Sequence, residues 1–193
     1  MRGIKLWNRQ RLFERSKKKP THLIPIINES IKLLRSSISS SIEIQKKIEK
    51  KVDTILADPT QITLVLVNLF TNAEYAMPDG GIIEIGLKNI EIDEDTDVLL
   101  PDLKPGRYVN LTVNDTGHGI PVEEIDRIFD PYFTTKEFGK GAGMGLAVVH
   151  GIVLNHNGLI FVDSEMGKGT TFDILFPIIE MESAQKILFD EDL

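Results

Sequence analysis

The sequence contains no cysteine. That fits a reducing, cytoplasmic setting, where thiols and disulfides contribute little to stability. No apolar run reaches membrane-spanning length, so direct membrane insertion is not expected. The N-terminal stretch is basic but lacks the apolar core of a signal peptide, and none is expected. Positive charge is in deficit, with 22 Lys and Arg against 29 Asp and Glu and a net charge of −7. That balance argues against a global role in nucleic-acid binding. The four histidines share no metal-ligand spacing. What remains is a chain of 193 residues, 41% apolar, enough for one globular domain with a true core plus tails.

Residues 1–19, MRGIKLWNRQRLFERSKKK, are polar and basic, with Leu6, Trp7, Leu12 and Phe13 as the apolar points. They read as a solvated arm, or as the stump of a longer helix packed on something outside this chain. Contact with nucleic acid is a third reading. Residues 24–36 keep apolar residues at helical spacing: Ile24, Ile27, Ile31 and Leu34. A serine-rich turn follows, then strands at 41–45 and 52–57. Asp58-Pro59-Thr60-Gln61 is a helix start, with a capping carboxylate, Pro in the first turn and Gln three residues on. This helix runs to about Met77 and is stopped by Pro78-Asp79-Gly80-Gly81.

Asn68 and Asn72 lie four apart, hence on one side of that helix. Two poor helix formers on an otherwise apolar helix have three readings: surface exposure, a buried hydrogen-bonded pair, or an amide oxygen reaching a metal–phosphate group. Strands are expected at 81–92 and 107–114, a surface loop between them, a short helix at 121–129, a helix at 144–155, and a strand pair at 158–164 and 169–176. This order lacks a strict βαβ repeat and predicts an α+β fold: a mixed sheet with helices on one face.

The organising stretch is 115–146. DTGHGI opens it with Asp115 between a strand end and two glycines, and GKGAGMGL closes it by feeding a helix start. Glycines admit close backbone approach, and a helix N-terminus favours anions, so the second loop is suited to phosphate.

Five segments in order resemble the ATP-binding domain of sensor histidine kinases, within the superfamily of gyrase, heat-shock chaperones, histidine kinases and MutL. They are NLFTNAEYAM (68–77), DTGHG (115–119), FDPYFTTK (129–136), GKGAGMGL (139–146) and GKGTTF (167–172). The resemblance implies the two-layer α/β sandwich of the Bergerat type, with about three helices on the sheet. It implies a catalytic domain over 20–180, an arm at 1–19 left from a dimerising helical hairpin, and an acidic tail at 181–193.

It also implies ATP and Mg2+ as cofactors. Asp115 would accept from the adenine amino group, a choice of adenine over guanine, since a carboxylate only accepts. Gly117, Gly119 and Thr170 would complete the base site. Asn72 would be the magnesium ligand. Asn68 takes the place of the water-activating glutamate of the superfamily's ATPases, and an amide takes no proton at neutral pH. That favours a kinase. Phe129, Met144 and Leu146 would flank the nucleotide. Gly141, Gly143 and Gly145 would wrap the triphosphate, with Lys136 and Lys140 as lid cations. The lid, 137–143, is expected to order around a γ-phosphate, with Phe138 either a handle for the hairpin or a packing residue.

Departures are visible too. Tyr75 and Ala76 stand where many members carry a basic residue, and Ala142 where a threonine is common. His22, His118, His150 and His156 all lack the context of a phosphoacceptor, so the acceptor is expected on a separate helical domain. The expected partners are that hairpin and a response regulator receiver domain. The alternatives are an ATP-responsive interaction module without catalysis, or an ATPase of the gyrase or MutL type.

Overall fold

In the computed structural model, residues 17–93, 104–135 and 143–179 are described. The chain order is β1 (Lys19–Thr21), α1 (Leu23–Arg35), β2 (Ile42–Ile48), β3 (Ile55–Ala57), α2 (Pro59–Ala76), β4 (Gly81–Ile92), β5 (Gly106–Asp115), α3 (Val122–Ile125), α4 (Gly145–Asn155), β6 (Leu159–Glu165) and β7 (Gly169–Pro177).

Five strands form one sheet in the order β2-β4-β5-β7-β6. β2 runs parallel to β4, and the other neighbours are antiparallel. β1 and β3 form a separate two-stranded ribbon. The sheet is mixed and its helices pack on one face, the α+β arrangement expected. Alternation explains the two faces. Ile83, Ile85 and Leu87 of β4, Val109, Leu111 and Val113 of β5, and Phe172, Ile174 and Phe176 of β7 all point into the core. On the other face, Asn110 Nδ2 and Thr112 Oγ1 both donate to Asp173 Oδ1, at 3.2 and 2.7 Å, beside a small apolar cluster of Tyr108 and Leu175.

α2 is the central helix. Ile62, Val65, Leu66, Leu69, Phe70 and Ala73 form its buried face. Fully burying a Leu, Val or Phe side chain contributes roughly 1.5–3 kcal/mol, so this face anchors the helix layer. α2 starts where its cap predicts: Asp58 Oδ1 accepts from Thr60 N at 2.9 Å and Gln61 N at 3.4 Å. The reciprocal half of a capping box is absent. Gln61 Oε1 instead accepts from Asn155 Nδ2, and the Asp58 N–H donates to His156 Nε2 at 3.0 Å. The imidazole thus ties the start of α2 to the end of α4. On α1, Leu23, Ile26, Ile27, Ser30 and Leu34 are buried, and Arg35 Nη1 donates to Ile42 O at 2.6 Å, joining the helix end to β2.

Three expectations shift. Lys19, expected at the end of the arm, already pairs with Ala57 in β1. The strand expected at 52–57 is regular only from Ile55. The helix expected over 121–129 closes at Ile125, after which Asp130 N donates back to Arg127 O in a tighter turn. That turn lets Ile128 and Phe129 drop into the core.

Candidate functional site

β5 delivers Asp115 to the end of the sheet, beneath the C-terminal end of α2. A cavity of about 350 Å³ opens there. Asn68, Asn72 and Tyr75 of α2 line one wall, Gly143 to Leu146 another, and Asp115, Gly119 and Thr170 the closed end. The sequence-predicted residues Asn68, Asn72, Asp115, Gly119, Gly143, Met144, Gly145, Leu146 and Thr170 therefore converge on one space.

Asp115 is 5% exposed. Its Oδ1 accepts from Gly117 N at 2.8 Å and from Thr170 N at 3.3 Å. Both internal bonds fall on one oxygen, and Oδ2 is left for the cavity. Burial pushes the carboxyl above its ordinary value, against the Gly117 and Thr170 N–H groups and the charge of His118, which pull it down. A largely desolvated acceptor with one uncommitted oxygen is suited to a ligand donor.

The loop after Asp115 is held from two sides. His118 N donates to Ala76 O at 3.0 Å, and Gly167 N donates to His118 O at 2.8 Å. Gly119 has φ +78°, and a Cβ there would lie 2.3 Å from Glu165 O. Only glycine fits, in conformation and in space. Gly117 is off the cavity wall and backs onto Ala76, where a Cβ would meet the Ala76 Cβ at 2.6 Å.

On α2, Asn68 Nδ2 donates to Leu64 O at 2.8 Å. Its amide nitrogen is thereby committed to its own helix, and its oxygen turns toward α4. A Cβ on Gly145 would stand 2.8 Å from Asn68 Oδ1, so glycine at 145 is what lets the two helices meet here. α4 begins without a side-chain cap: Met144 occupies the N-cap position and offers no oxygen. Its first-turn N–H groups are left to solvent or to an anion.

The aromatic segment divides in a way the sequence did not reveal. Phe129 is not a cavity residue. It is buried, and its ring stacks on His150 with centroids 5.2 Å apart. Phe129, expected to flank the nucleotide, thus takes a core position that follows from the early end of α3. Phe133 lines the cavity instead, with the Arg127 guanidinium 4.5 Å from its ring centroid. Tyr132 N donates to Gly143 O at 3.0 Å, so the two ends of the intervening loop meet. Gly143 has φ +66°, and a Cβ there would strike the Tyr132 backbone at 2.6 Å. Lys136, Lys140 and Gly141, with the rest of the expected lid up to residue 142, lie outside the described residues. Ser164, which no motif flagged, bonds Ile120 N at 2.8 Å and Thr170 Oγ1 at 2.9 Å. Its signal was the strand register, which sets Ser164 opposite Thr170.

Comparison with known proteins places these features. Residues 57–180 match the family described as histidine kinase-, DNA gyrase B-, and HSP90-like ATPase. The chain is 45% identical over 146 residues to the sensor kinase CckA of Brucella abortus (strain 2308), covering 72% of this chain and 15% of that protein. It is 37% identical over 168 residues to the sensor histidine kinase ZraS of Escherichia coli (strain K12), covering 83% of this chain and 32% of that one. The mycobacterial sensor histidine kinase MprB superposes with a TM-score of 0.67 at 27% identity, over 85% of this chain and 99% of that structure. The chain thus spans a third or less of these two curated relatives.

Proposed function

As the chain belongs to the histidine kinase-, DNA gyrase B-, and HSP90-like ATPase family and corresponds to the ATP-binding catalytic domain of sensor histidine kinases, we propose that it binds Mg-ATP in the Asp115 cavity and donates the γ-phosphate to a histidine outside this chain. The observation that carries the reading is the polarity of the cavity. One end holds the uncommitted Asp115 Oδ2, a pure acceptor suited to the adenine amino group. The other holds the uncapped N-terminus of α4, suited to phosphate.

The donor set fits magnesium as well as nucleotide. Asn72 lines the same wall as Asn68, one helical turn apart. Magnesium commonly takes one or two protein oxygens and fills its shell with phosphate and water, so an amide oxygen at 72 would serve. A magnesium ion held by Asn72 would supply positive charge to offset that of the phosphates. Asn68 supplies no general base: its oxygen is an amide, and its nitrogen is bonded to Leu64 O. Water is therefore poorly activated here, which favours transfer over hydrolysis. In-line phosphoryl transfer needs positioning and charge neutralisation more than covalent chemistry from this domain.

The acceptor would lie on a dimerising helical hairpin, and a response regulator receiver domain would take the phosphate onward in a two-component phosphorelay. Among the described residues no helix is long and apolar enough to cross a membrane. The test is to supply a separate histidine-bearing hairpin domain with labelled ATP. Acid-labile phosphate on the hairpin is expected. Nucleotide binding without transfer would instead favour an ATP-responsive interaction module, and free phosphate release alone would favour a hydrolase.

A further inference from the structure

Ser164 on β6 stands directly across from Thr170 on β7. Its hydroxyl touches three groups. It accepts from Ile120 N at 2.8 Å, and it lies 3.0 Å from Gly169 O and 2.9 Å from Thr170 Oγ1. A hydroxyl has one proton and two lone pairs. The Ile120 N–H occupies one lone pair. Gly169 O has no proton to give, so the Ser164 proton goes to it. The second lone pair then faces Thr170, whose own proton points back at Ser164. This assignment alone satisfies all three contacts.

We propose that Ser164 is a positioning residue for base selection: it draws the Thr170 proton away from the cavity, so that Thr170 presents only a lone pair there. The proposal rests on the adenine reading above. Thr170 is 4% exposed and lines the closed end of the cavity. Its backbone N–H is already spent on Asp115 Oδ1. With the proton turned toward Ser164, the base end offers Thr170 Oγ1 and Asp115 Oδ2, both acceptors. An exocyclic amino group, with two hydrogens, is matched by acceptors. The carbonyl of a 6-oxopurine is not, because acceptor would face acceptor. Without Ser164 the Thr170 hydroxyl is free to rotate and donate to such a carbonyl, so the error a carboxylate alone penalises would be partly forgiven. The selecting element is then a wired hydroxyl as well as a carboxylate. Ile120, the third partner, belongs to the same loop that carries His118 and Gly119, so one side chain sets both the loop position and the hydroxyl direction.

The test measures Mg-ATP and Mg-ITP affinities by calorimetry, hypoxanthine differing from adenine by a 6-oxo group in place of the amino group and by a proton on N1. Ser164→Ala is expected to lower the ATP-to-ITP affinity ratio about tenfold, the factor one misdirected hydrogen bond of ordinary strength is worth. Ser164→Thr keeps the hydroxyl and is expected to restore it. Thr170→Val, nearly isosteric, is expected to lower the ratio too, and Ser164→Ala in that background to change it no further. A merely structural serine would weaken both nucleotides together and leave the ratio unchanged, which would overturn the proposal. Independent, additive losses in the double variant would overturn it as well. If Ser164→Ala does not fold, an unchanged ratio in Thr170→Val does the same. Wild-type protein that binds no ATP would strike the functional reading itself, a result distinct from ATP binding with an indifferent Ser164.

Discussion

Replacing Asp115 by Asn separates binding from folding. Both internal hydrogen bonds of the carboxylate fall on Oδ1, from Gly117 N at 2.8 Å and Thr170 N at 3.3 Å. An amide keeps that oxygen, so the loop after β5 keeps its anchor. The atom that changes is the one facing the cavity, where a donor replaces an acceptor. Against an adenine amino group the variant loses a charge-assisted bond and brings two donors together. The first loss costs about 1.5–3 kcal/mol, and an unsatisfied buried group adds about 1–3 kcal/mol. Taken near the low end of the sum, roughly 3 kcal/mol, ATP affinity falls about a hundredfold.

Stability moves the other way. Burial raises the folded-state pKa of Asp115 above the ordinary 3.8. A carboxyl whose pKa is raised on folding contributes stability below its unfolded value and loses it as pH rises through the folded one. At neutral pH the ionised group therefore opposes folding, and Asn removes that opposition. The variant is expected to melt no lower than wild type at neutral pH, with any advantage shrinking as pH falls toward 4. Calorimetric titration with ATP, paired with thermal melts across pH, reads both effects. Equal ATP affinity in the two proteins would refute the adenine assignment. Lost affinity with a collapsed melting transition would refute the claim that Oδ1 alone carries the structural load.

Asn72→Ala is expected to abolish the magnesium dependence of ATP binding while leaving magnesium-free binding within about twofold, since a protein ligand to the ion is lost and the base contacts are not; titrations with and without magnesium decide it. Gly119→Ala should cost at least about 2 kcal/mol by chemical denaturation, because a left-handed backbone and a clash with Glu165 O coincide. His156 should stay neutral below the ordinary histidine value of 6.5, because burial depresses it, against the pull of Ile152 O. Its Nδ1 lies 2.7 Å from Ile152 O and its Nε2 accepts from Asp58 N, so protonation would set two donors face to face. A pKa lowered on folding contributes stability that is complete above the unfolded value and lost as pH falls through the folded one. The melting temperature should therefore drop as pH falls below 6.5, and an NMR titration midpoint above 6.5 would contradict the assignment.

What the sequence disclosed were features set by neighbours along the chain. The Asp58 cap, the apolar face of α2, the alternation of β4 and the Asn68/Asn72 pair are all local patterns, and each appears where its spacing placed it. The family motifs extended this to Asp115, Thr170 and the α4 N-terminus, which one cavity unites. Local pattern failed where a long-range contact set the outcome. Phe129 and Phe133 are indistinguishable in a run of turn residues; the early closure of α3 sends the first onto His150 and leaves the second at the cavity. Gln61 satisfies the spacing of a capping box, yet His156, nearly a hundred residues away, takes the Asp58 N–H.

Ser164 shows the same limit most sharply. Ending β6 at Ser164 would leave it at the turn, facing Gly169. β6 runs one residue further, Glu165 pairs with Gly169, and Ser164 moves opposite Thr170. A one-residue change in register decides which face a side chain takes and which partner it meets. The cavity's closed end is thus a product of sheet register: β5 brings Asp115 opposite Thr170, and β6 brings Ser164 opposite the same residue from the other side. Three strands converge on Thr170, so the hydroxyl proposed to meet the base is held within the paired sheet. The proposed phosphate end is built on the N-terminus of α4. On the proposed reading, selection of the base thereby rests on paired strands, where small displacements are costly, and engagement of the phosphates rests on a helix terminus.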